Sequence, residues 1–332
     1  MSEKLYRQDL PLVSVSIVCN NIRFLRETLE SVLRQSYSNF EIVVVLNGKA
    51  AKSKETLEFE YRYSERQVRF FVSLFEEIVA SKNLSMNYCS GELICIIDSD
   101  DLMPPKRIEA QVAEFHKNNR LVCVGGQLLE LQEGVLKRFH KYPTSDSLTK
   151  HALFRFSSLP HPGVMFLKSA VIEAGGYTNK FSWIEDWDLW VRLKNLGEIY
   201  NLNQPTVYYR RHVEQSTNIN RVEIDRNTRK LLLANLNLVI TGHFSAKECT
   251  QRNFERKLYL NAFLCLLGIR KPKHREGLFG LRIVRRALAG LQYNSYQTGS
   301  TPERRGSTLV NAILCVMIDP YFFVRRLSVK RI

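Results

Sequence analysis

Short apolar runs alternate with stretches of helical periodicity up to about residue 118. Residues 24–33 place Phe24, Leu29 and Val32 on one helical stripe, and residues 81–89 form a second helical pattern. This alternation is typical of βαβ units, so the fold class is predicted to be α/β, a mostly parallel sheet flanked by helices. The runs that predict strands are residues 12–19, 40–46, 68–72 and 93–97, and Pro105 is predicted to begin the next helix.

The chain after residue 118 is less regular. Its pattern predicts strands at residues 121–125, 164–167 and 205–209, and a helix over residues 183–196. Ser182 and Glu185 fit a capping box at the start of that helix, with Ser182 as the N-cap and Glu185 at N3. His161, just before Pro162, is interpreted as a loop residue.

Three carboxylates, Asp98, Asp100 and Asp101, follow the apolar run at residues 93–97. Side chains alternate along a strand, so Asp98 and Asp100 point the same way and can share one divalent cation. Such an ion could clamp a diphosphate, as Mg²⁺ does in nucleotide sites. The alternative is an acidic turn before a proline pair, because Asp is common in turns.

A second acidic group lies at the start of the predicted helix at residues 183–196. Glu185 falls on its polar side with Asp188, whereas Asp186 falls beside Leu189 and Trp190. A carboxylate on an apolar face costs free energy unless it has a task or a partner. Asp186 is therefore either a general base or a buried carboxylate bonded to backbone amides.

The three tryptophans, Trp183, Trp187 and Trp190, share this segment. Aromatic faces stack on sugar rings, so Trp183 or Trp187 is a candidate ligand contact, while Trp190 is predicted to pack in the core. Further along, Arg210 and His212 follow a predicted strand. His212 could complete a metal shell and Arg210 could meet a phosphate, or both could lie at a solvated strand end.

Charge divides the 332-residue chain, whose formal net charge is +15. Residues 230–332 contain 18 Lys and Arg against 5 Asp and Glu, whereas residues 1–229 are nearly neutral. Two regions follow, a nearly neutral globular domain at 1–229 and a helical, basic region at 230–332. Residues 278–291 have the pattern of a basic amphipathic helix, which favours a membrane surface; the alternative is a helix packed on the domain with a solvated basic face.

Cysteine usage and the absence of a leader pattern indicate the compartment. The seven cysteines include no CxxC pair and several lie in apolar runs, so we interpret them as reduced core residues of a cytosolic protein. The first ten residues are charged and resemble no signal peptide, and no apolar stretch reaches the length of a membrane-spanning helix.

In their order and spacing, these motifs resemble the family 2 glycosyltransferases, inverting enzymes of the GT-A fold, of the bacterial surface-polysaccharide type. The resemblance covers residues 10–217. Asp98-Ser99-Asp100 resembles the family's DxD motif, and Gly175-Gly176-Tyr177 followed by residues 185–193 resembles the segment with the catalytic carboxylate. The other matching segments are residues 13–21, which end in Asn21, residues 24–37, residues 40–45 and Ser81-Lys82-Asn83.

The resemblance implies a role for each matching residue. Asp186 resembles the general base, and Asp98 and Asp100 resemble ligands of the metal and the diphosphate, with Mg²⁺ or Mn²⁺ as cofactor. Other residues implied in metal, nucleotide or substrate binding are Asn21, Asn47, Lys82, Glu185, Trp187, Arg210 and His212. The implied partners are a nucleoside-diphosphate sugar, most directly a UDP-sugar, a glycan or lipid-linked acceptor, and the inner face of the cell membrane.

One departure from the family pattern affects nucleotide recognition. The family has an acidic pair after its second strand, where this chain has Leu46-Asn47-Gly48-Lys49. Asn47 offers amide donors that an Asp lacks, so base selectivity is not carried over. Similarly, residues 18–21 read Val-Cys-Asn-Asn instead of the family's Pro-Thr-Tyr-Asn.

Two other classes of function are compatible with parts of the sequence. A nucleotidyltransferase would also use a metal and an α/β sheet, although no Gly-rich triphosphate loop is visible. A nucleic-acid-binding protein would use the basic C-terminal region. Its basic residues are interleaved with aliphatic rather than aromatic side chains, which favours lipid, so nucleic acid is not an expected partner.

Overall fold

The computed structural model describes residues 10–53, 59, 62–63, 67–213, 215 and 219–241, with side chains placed up to residue 235. These residues form a mixed α/β fold, as predicted. The strands are β1 (Val13–Cys19), β2 (Phe40–Leu46), β3 (Val68–Val72), β4 (Leu93–Ile96), β5 (Leu121–Gln132), β6 (Val135–His140), β7 (Met165–Leu167) and β8 (Glu198–Arg210). The helices are α1 (Leu25–Leu33), α2 (Gly48–Ala51), α3 (Ile78–Tyr88), α4 (Arg107–Lys117), α5 (Asp146–Ala152), α6 (Lys168–Glu173), α7 (Glu185–Leu193) and α8 (Arg221–Thr241).

The eight strands form one sheet in the order β3-β2-β1-β4-β7-β5-β6, and β8 also pairs with β5. Strands β1 to β4 are parallel neighbours, with Val13 opposite both Phe40 and Leu93. The carboxyl ends of β1, β2 and β4 therefore meet at one edge, the place where open α/β sheets bind ligands. Strand β7 is antiparallel to β4 and β5, which makes the sheet mixed.

The core explains why these segments are strands. Every residue of β4 is buried, and β1 and β2 are buried almost throughout, as expected of central strands covered on both faces. Four thiols of this region, Cys19, Cys89, Cys95 and Cys123, are buried and free, as predicted. The other three cysteines lie outside the described residues.

Several predicted boundaries are wrong. Helix α4 begins at Arg107 rather than Pro105, because the Arg107 N–H is bonded to the Pro104 carbonyl in a preceding turn. Strands β5 and β8 are longer than predicted, since they pair with each other along most of their lengths. Residues 135–140, for which no strand was predicted, form β6 and close a hairpin with β5.

Helix α7 corrects the capping interpretation. Glu185 is its first residue, so it cannot be the N3 residue of a capping box. The predicted polar side of this helix is also wrong, because Glu185 and Asp188 are buried. Asp188 instead forms an ion pair with Arg192 at 2.9 Å and accepts a hydrogen bond from the Thr178 hydroxyl at 2.8 Å.

The chain divides into two compact units. Among described residues, the first unit comprises 10–150, 157–179 and 185–219, and the second comprises 151–156, 180–184 and 220–241. The predicted boundary at residue 229 stays a prediction. Within the described part of the chain, no helix combines the length and apolarity needed to cross a membrane.

Candidate active site

The carboxylates after β4 converge. Asp98, Asp100 and Asp101 each place an oxygen within 4.8 Å of the other two. Helix α1 holds this turn, because the Thr28 hydroxyl lies 3.0 Å from the Ser99 carbonyl and 2.8 Å from the Asp101 carbonyl. The acidic turn is thus built into the sheet edge by a specific contact from the first helix.

The cluster is strongly negative. Burial and the charge of Asp98 raise the pKa of Asp100, and burial with the neighbouring carboxylates raises the pKa of Asp101 well above its usual range. The pKa of Asp98 is lowered although burial opposes this, because His161 and Lys82 stabilise its charge. Repulsion of this kind is what a bound cation relieves.

The donor set fits a hard divalent cation. Asp101 is fully buried, and within the described residues its Oδ2 has no hydrogen-bond partner. His212, at the end of β8, places Nε2 2.7 Å from Oδ2 of Asp100. Carboxylate oxygens with one imidazole suit Mg²⁺ or Mn²⁺. Asp101 was not among the predicted ligands, because strand alternation assigns it to the opposite side.

Arg210 lies beside this cluster but is held by protein groups. Its backbone N–H donates to Asp101 at 2.8 Å, and its Nε donates to the Asp100 carbonyl at 2.8 Å. Its guanidinium also pairs with Glu27 at 2.6 Å and lies over the Phe24 ring. The predicted phosphate contact of Arg210 therefore requires it to exchange the exposed Glu27 carboxylate for the ligand.

Two predicted nucleotide contacts lie at the ends of β1 and β2. Asn21 caps a 3₁₀ turn, where its side chain accepts the Arg23 N–H at 3.0 Å. Asn47 is buried and donates from Nδ2 to the Ser81 hydroxyl at 3.2 Å. Its Oδ1 has no partner within the described residues, which leaves an oriented acceptor at the carboxyl edge of the sheet.

Lys82 of α3 forms a buried ion pair with Glu185 of α7, with 2.5 Å between Nζ and Oε1. Burial alone would lower the pKa of Lys82, but attraction by Glu185 and Asp98 outweighs it and the pKa is raised. Burial would likewise raise the pKa of Glu185, and Lys82 lowers it instead. Both shifts agree that the pair is charged.

Asn83 makes a second connection from the same helical turn, one that the sequence did not reveal. Its Nδ2 donates to the Tyr177 carbonyl at 2.9 Å, and its Oδ1 accepts the Tyr177 N–H at 3.0 Å. Gly176 has φ +67°, and a Cβ there would lie 2.8 Å from Oδ1 of Asn83. The Gly-Gly-Tyr segment is thereby fixed against α3.

Asp186, the predicted base, lies in the first turn of α7 and is partly buried. Burial raises its pKa, which His161 and Lys82 partly counteract. The Ser157 hydroxyl lies 3.4 Å from its Oδ2. A carboxylate with a raised pKa is a better proton acceptor than an ordinary Asp.

The tryptophans differ in exposure. Trp190 is fully buried, as predicted, and Trp187 is 4% exposed. A ligand contact by Trp187 stays a prediction. Trp183, in the second unit, has φ +69° and donates its indole N–H to Glu223 at 3.2 Å.

His161 belongs to this site, contrary to its interpretation as an ordinary loop residue. It begins a 3₁₀ turn, His161–Gly163, before β7. Its Nδ1 lies 3.7 Å from Oδ1 of Asp98, and its Nε2 lies 3.0 Å from the Tyr177 hydroxyl. A small pocket is lined by Ser16, Val18, Lys82, Ile96, Ile97, Asp98, His161 and Tyr177.

The predicted metal-side and base-side carboxylates face common partners. Lys82 attracts Asp98, Glu185 and Asp186, and His161 acts to lower the pKa of both Asp98 and Asp186. The site therefore combines a cation-binding edge, an oriented amide and a carboxylate with a raised pKa. This arrangement can bind an anionic ligand through a cation and accept a proton close to it.

Comparison with known proteins finds related glycosyltransferases. Residues 15–175 match the family model described as Glycosyl transferase family 2. The O-antigen biosynthesis glycosyltransferase WbnJ of Escherichia coli is 24% identical over 262 residues, which are 78% of this chain and 94% of that protein. UDP-Gal:alpha-D-GlcNAc-diphosphoundecaprenol beta-1,3-galactosyltransferase, also of Escherichia coli, is 26% identical over 174 residues, covering 51% of this chain and 62% of that protein.

Solved structures agree on the fold. The crystal structure of GalNAc-T7 with UDP, GalNAc and Mn²⁺ aligns with this chain at a TM-score of 0.54 and 14% identity. The alignment covers 77% of this chain and 55% of GalNAc-T7. This likeness shows the GT-A architecture and nothing finer. Together with the family match, it shows that the chain is a glycosyltransferase whose residues 15–175 form a glycosyl transferase family 2 domain of the GT-A fold.

Proposed function

We propose that this glycosyltransferase uses a divalent metal to transfer a sugar, with inversion, from a nucleoside-diphosphate sugar to an acceptor hydroxyl. The observation that supports this proposal most directly is the convergence of Asp98, Asp100 and Asp101 at the carboxyl edge of the sheet. Asp186 follows Glu185, which pairs with Lys82 of α3 at 2.5 Å. We propose that a donor bound at Asp98 has its reacting carbon within the reach of a base at Asp186.

The residues of the chain divide the chemistry between them. Asp98, Asp100, Asp101 and His212 would hold Mg²⁺ or Mn²⁺, which supplies positive charge to stabilise the departing diphosphate. Asp186 accepts the proton of the acceptor hydroxyl as its oxygen attacks the anomeric carbon. The bond to the diphosphate breaks on the opposite face, so one displacement inverts the configuration.

The donor and acceptor are proposed from the site and from relatives. Asn47 presents an unpartnered Oδ1 among the described residues, which suits an imide N–H such as that of uracil. The names of two relatives mention O-antigen biosynthesis, UDP-Gal and a diphosphoundecaprenol substrate. A UDP-sugar donor and a glycan or lipid-linked acceptor of a bacterial surface polysaccharide follow as the proposed substrates.

The test separates binding from chemistry. The full chain is incubated with a panel of sugar nucleotides, and UDP release is measured with and without Mn²⁺. Asp186→Asn should lose transfer by 100-fold or more, on the order of a missing general base, while UDP affinity is unchanged. Asp100→Ala should lose metal-dependent UDP binding. An Asp186→Asn variant with wild-type turnover would refute the base assignment.

Membrane attachment is a separate proposal. The predicted basic amphipathic helix at residues 278–291 lies outside the described residues. We propose that residues 230–332 hold the enzyme on the inner face of the cell membrane, where a lipid-linked acceptor would be extended. Vesicles with anionic lipid should retain the full chain at low salt and release it at high salt. Truncation after Lys273 should abolish retention, and continued binding by the truncated chain would overturn the proposal.

A further inference from the structure

We infer that His161 is a positioning residue for the donor side of the site, which orients the Asp98 carboxylate through Nδ1–H. The inference rests on the proposed function. It concerns a side chain that the sequence motifs leave without a role and that the structure places between Asp98 and Tyr177.

The backbone around His161 is fixed by a buried arginine. Arg107 of α4 is 1% exposed, and its Nη1 donates to the Pro162 carbonyl at 2.7 Å. Its Nη2 donates to the carbonyls of Ile96 at 2.7 Å and Val164 at 2.9 Å. One guanidinium thus joins the end of β4, which leads into Asp98, to the His161 turn and to the residue that follows it.

A second buried side chain from the same helix reinforces this support. Gln111 of α4 donates from Nε2 to the Gly163 carbonyl and to the Val124 carbonyl, each at 2.9 Å. It also accepts from Nε of Arg107 at 3.1 Å. A buried arginine is costly in free energy unless its N–H groups are hydrogen-bonded. The hydrogen bonds of Arg107 therefore fix the position of the His161 turn.

The ring of His161 has a polar partner on each side. Nδ1 faces a carboxylate oxygen, so we assign a proton to Nδ1, because two lone pairs would otherwise repel. Nε2 lies 3.0 Å from the Tyr177 hydroxyl, within hydrogen-bond distance. Tyr177 is 3% exposed and its burial keeps the hydroxyl protonated, while Asn83 fixes its backbone.

The consequence falls on Asp98. Its side chain is 43% exposed, so the carboxylate has room to rotate, and its Oδ1 lies 3.7 Å from Nδ1. A small rotation brings the two atoms into hydrogen-bond distance and leaves Oδ2 for the cation or the donor. Removing a side chain that holds a metal-binding carboxylate in this way typically weakens metal affinity by about 10–100-fold.

The experiment compares substitutions that keep or remove a single ring nitrogen. An Asn side chain can place its amide N–H near the position of Nδ1, whereas Gln reaches the position of Nε2. Mn²⁺ binding to the full chain is measured by electron paramagnetic resonance, and UDP binding in Mn²⁺ by calorimetry. His161→Ala and His161→Gln should weaken Mn²⁺ binding about 10–100-fold, and His161→Asn should stay within about 3-fold of wild type.

Two further variants separate positioning from folding. Tyr177→Phe keeps the aromatic ring but removes the hydroxyl that contacts Nε2 of His161, so Mn²⁺ binding should weaken by a smaller factor. His116→Ala, at an exposed position of α4, is the matched control and should bind Mn²⁺ as wild type does. The KM for the donor should rise in His161→Ala while the KM for the acceptor is unchanged.

The outcomes distinguish this inference from the function on which it rests. Equal Mn²⁺ affinity in wild type and His161→Ala would overturn the inference alone. Equal losses in the Ala, Asn and Gln variants would also overturn it, since they would indicate a purely structural role. If the wild-type chain fails to bind UDP in Mn²⁺, the proposed function fails and the inference fails with it.

Discussion

The ion pair between Lys82 and Glu185 offers the strongest test of how the site is held together. It joins α3 to α7 across 103 positions of sequence, and its side chains are 14% and 7% exposed. At an effective dielectric constant of 20, two charges 2.5 Å apart attract each other by about 7 kcal/mol, most of which offsets the cost of removing both from water. The net value of the pair is therefore small, but losing one partner is expensive.

Lys82→Met removes the ammonium group and leaves the Glu185 carboxylate buried without its partner. We expect a loss of about 3–5 kcal/mol in the free energy of unfolding. Glu185→Gln should cost less, about 1–3 kcal/mol, because the amide oxygen still accepts from Lys82. The double variant should be more stable than Lys82→Met alone, since no uncompensated charge remains.

Unfolding in urea, followed by tryptophan fluorescence, measures these values because Trp187 and Trp190 lie on the same helix as Glu185. Lys117→Met is the matched control. It breaks the ion pair between Lys117, whose side chain is 69% exposed, and Glu114. The free energy of unfolding should fall by less than about 0.5 kcal/mol. If Lys82→Met costs no more than Lys117→Met, the pair does not hold α7 and the reasoning is refuted.

Three other predictions follow from buried or strained groups. Burial raises the pKa of Asp186 above its usual 3.8, and a general base must be ionised to accept a proton. The kcat/KM should therefore fall as the pH drops through a value above 3.8. A pH profile in which kcat/KM falls only at or below pH 3.8 would contradict this. Gly176→Ala should cost about 1–3 kcal/mol through its φ of +67° and the contact with Asn83, measured by urea unfolding, whereas Gly134→Ala, with open space around it, should cost less. Arg107→Met leaves three carbonyls without their donor and should lower the free energy of unfolding by about 3 kcal/mol or more, and a loss under about 1 kcal/mol would contradict the buried clamp.

The sheet and its polar edge could be predicted because their signals are local. Apolar runs of strand length form β1, β2 and β4. The residues that follow these runs, such as Asn47 and Asp98, lie at the carboxyl edge of a parallel sheet. Periodicity also placed Trp190 in the core. The ends of helices were less predictable, because Pro105 precedes a turn rather than a helix.

The contacts that organise the site could not be predicted, since they join distant residues. Ser182 and Glu185 match a capping pattern, yet the carboxylate of Glu185 is taken by Lys82, because a buried ammonium needs a charged partner more than a helix end needs a cap. His161 and Tyr177 are 16 residues apart, and nothing in their spacing signals a hydrogen bond. The one local sign was a histidine followed by Pro-Gly just before a strand.

One turn of α3 connects the carboxyl edge of β2 to the start of α7. The Ser81 hydroxyl accepts a hydrogen bond from Asn47 at the end of β2, and Lys82 forms an ion pair with Glu185, next to the predicted base. Asn83 accepts a hydrogen bond from the Tyr177 N–H. Three consecutive residues of a helix point about 100° apart, so each reaches a different wall of the site. The Ser-Lys-Asn triplet thus joins the edge of β2, the start of α7 and the Gly-Gly-Tyr segment through three consecutive side chains.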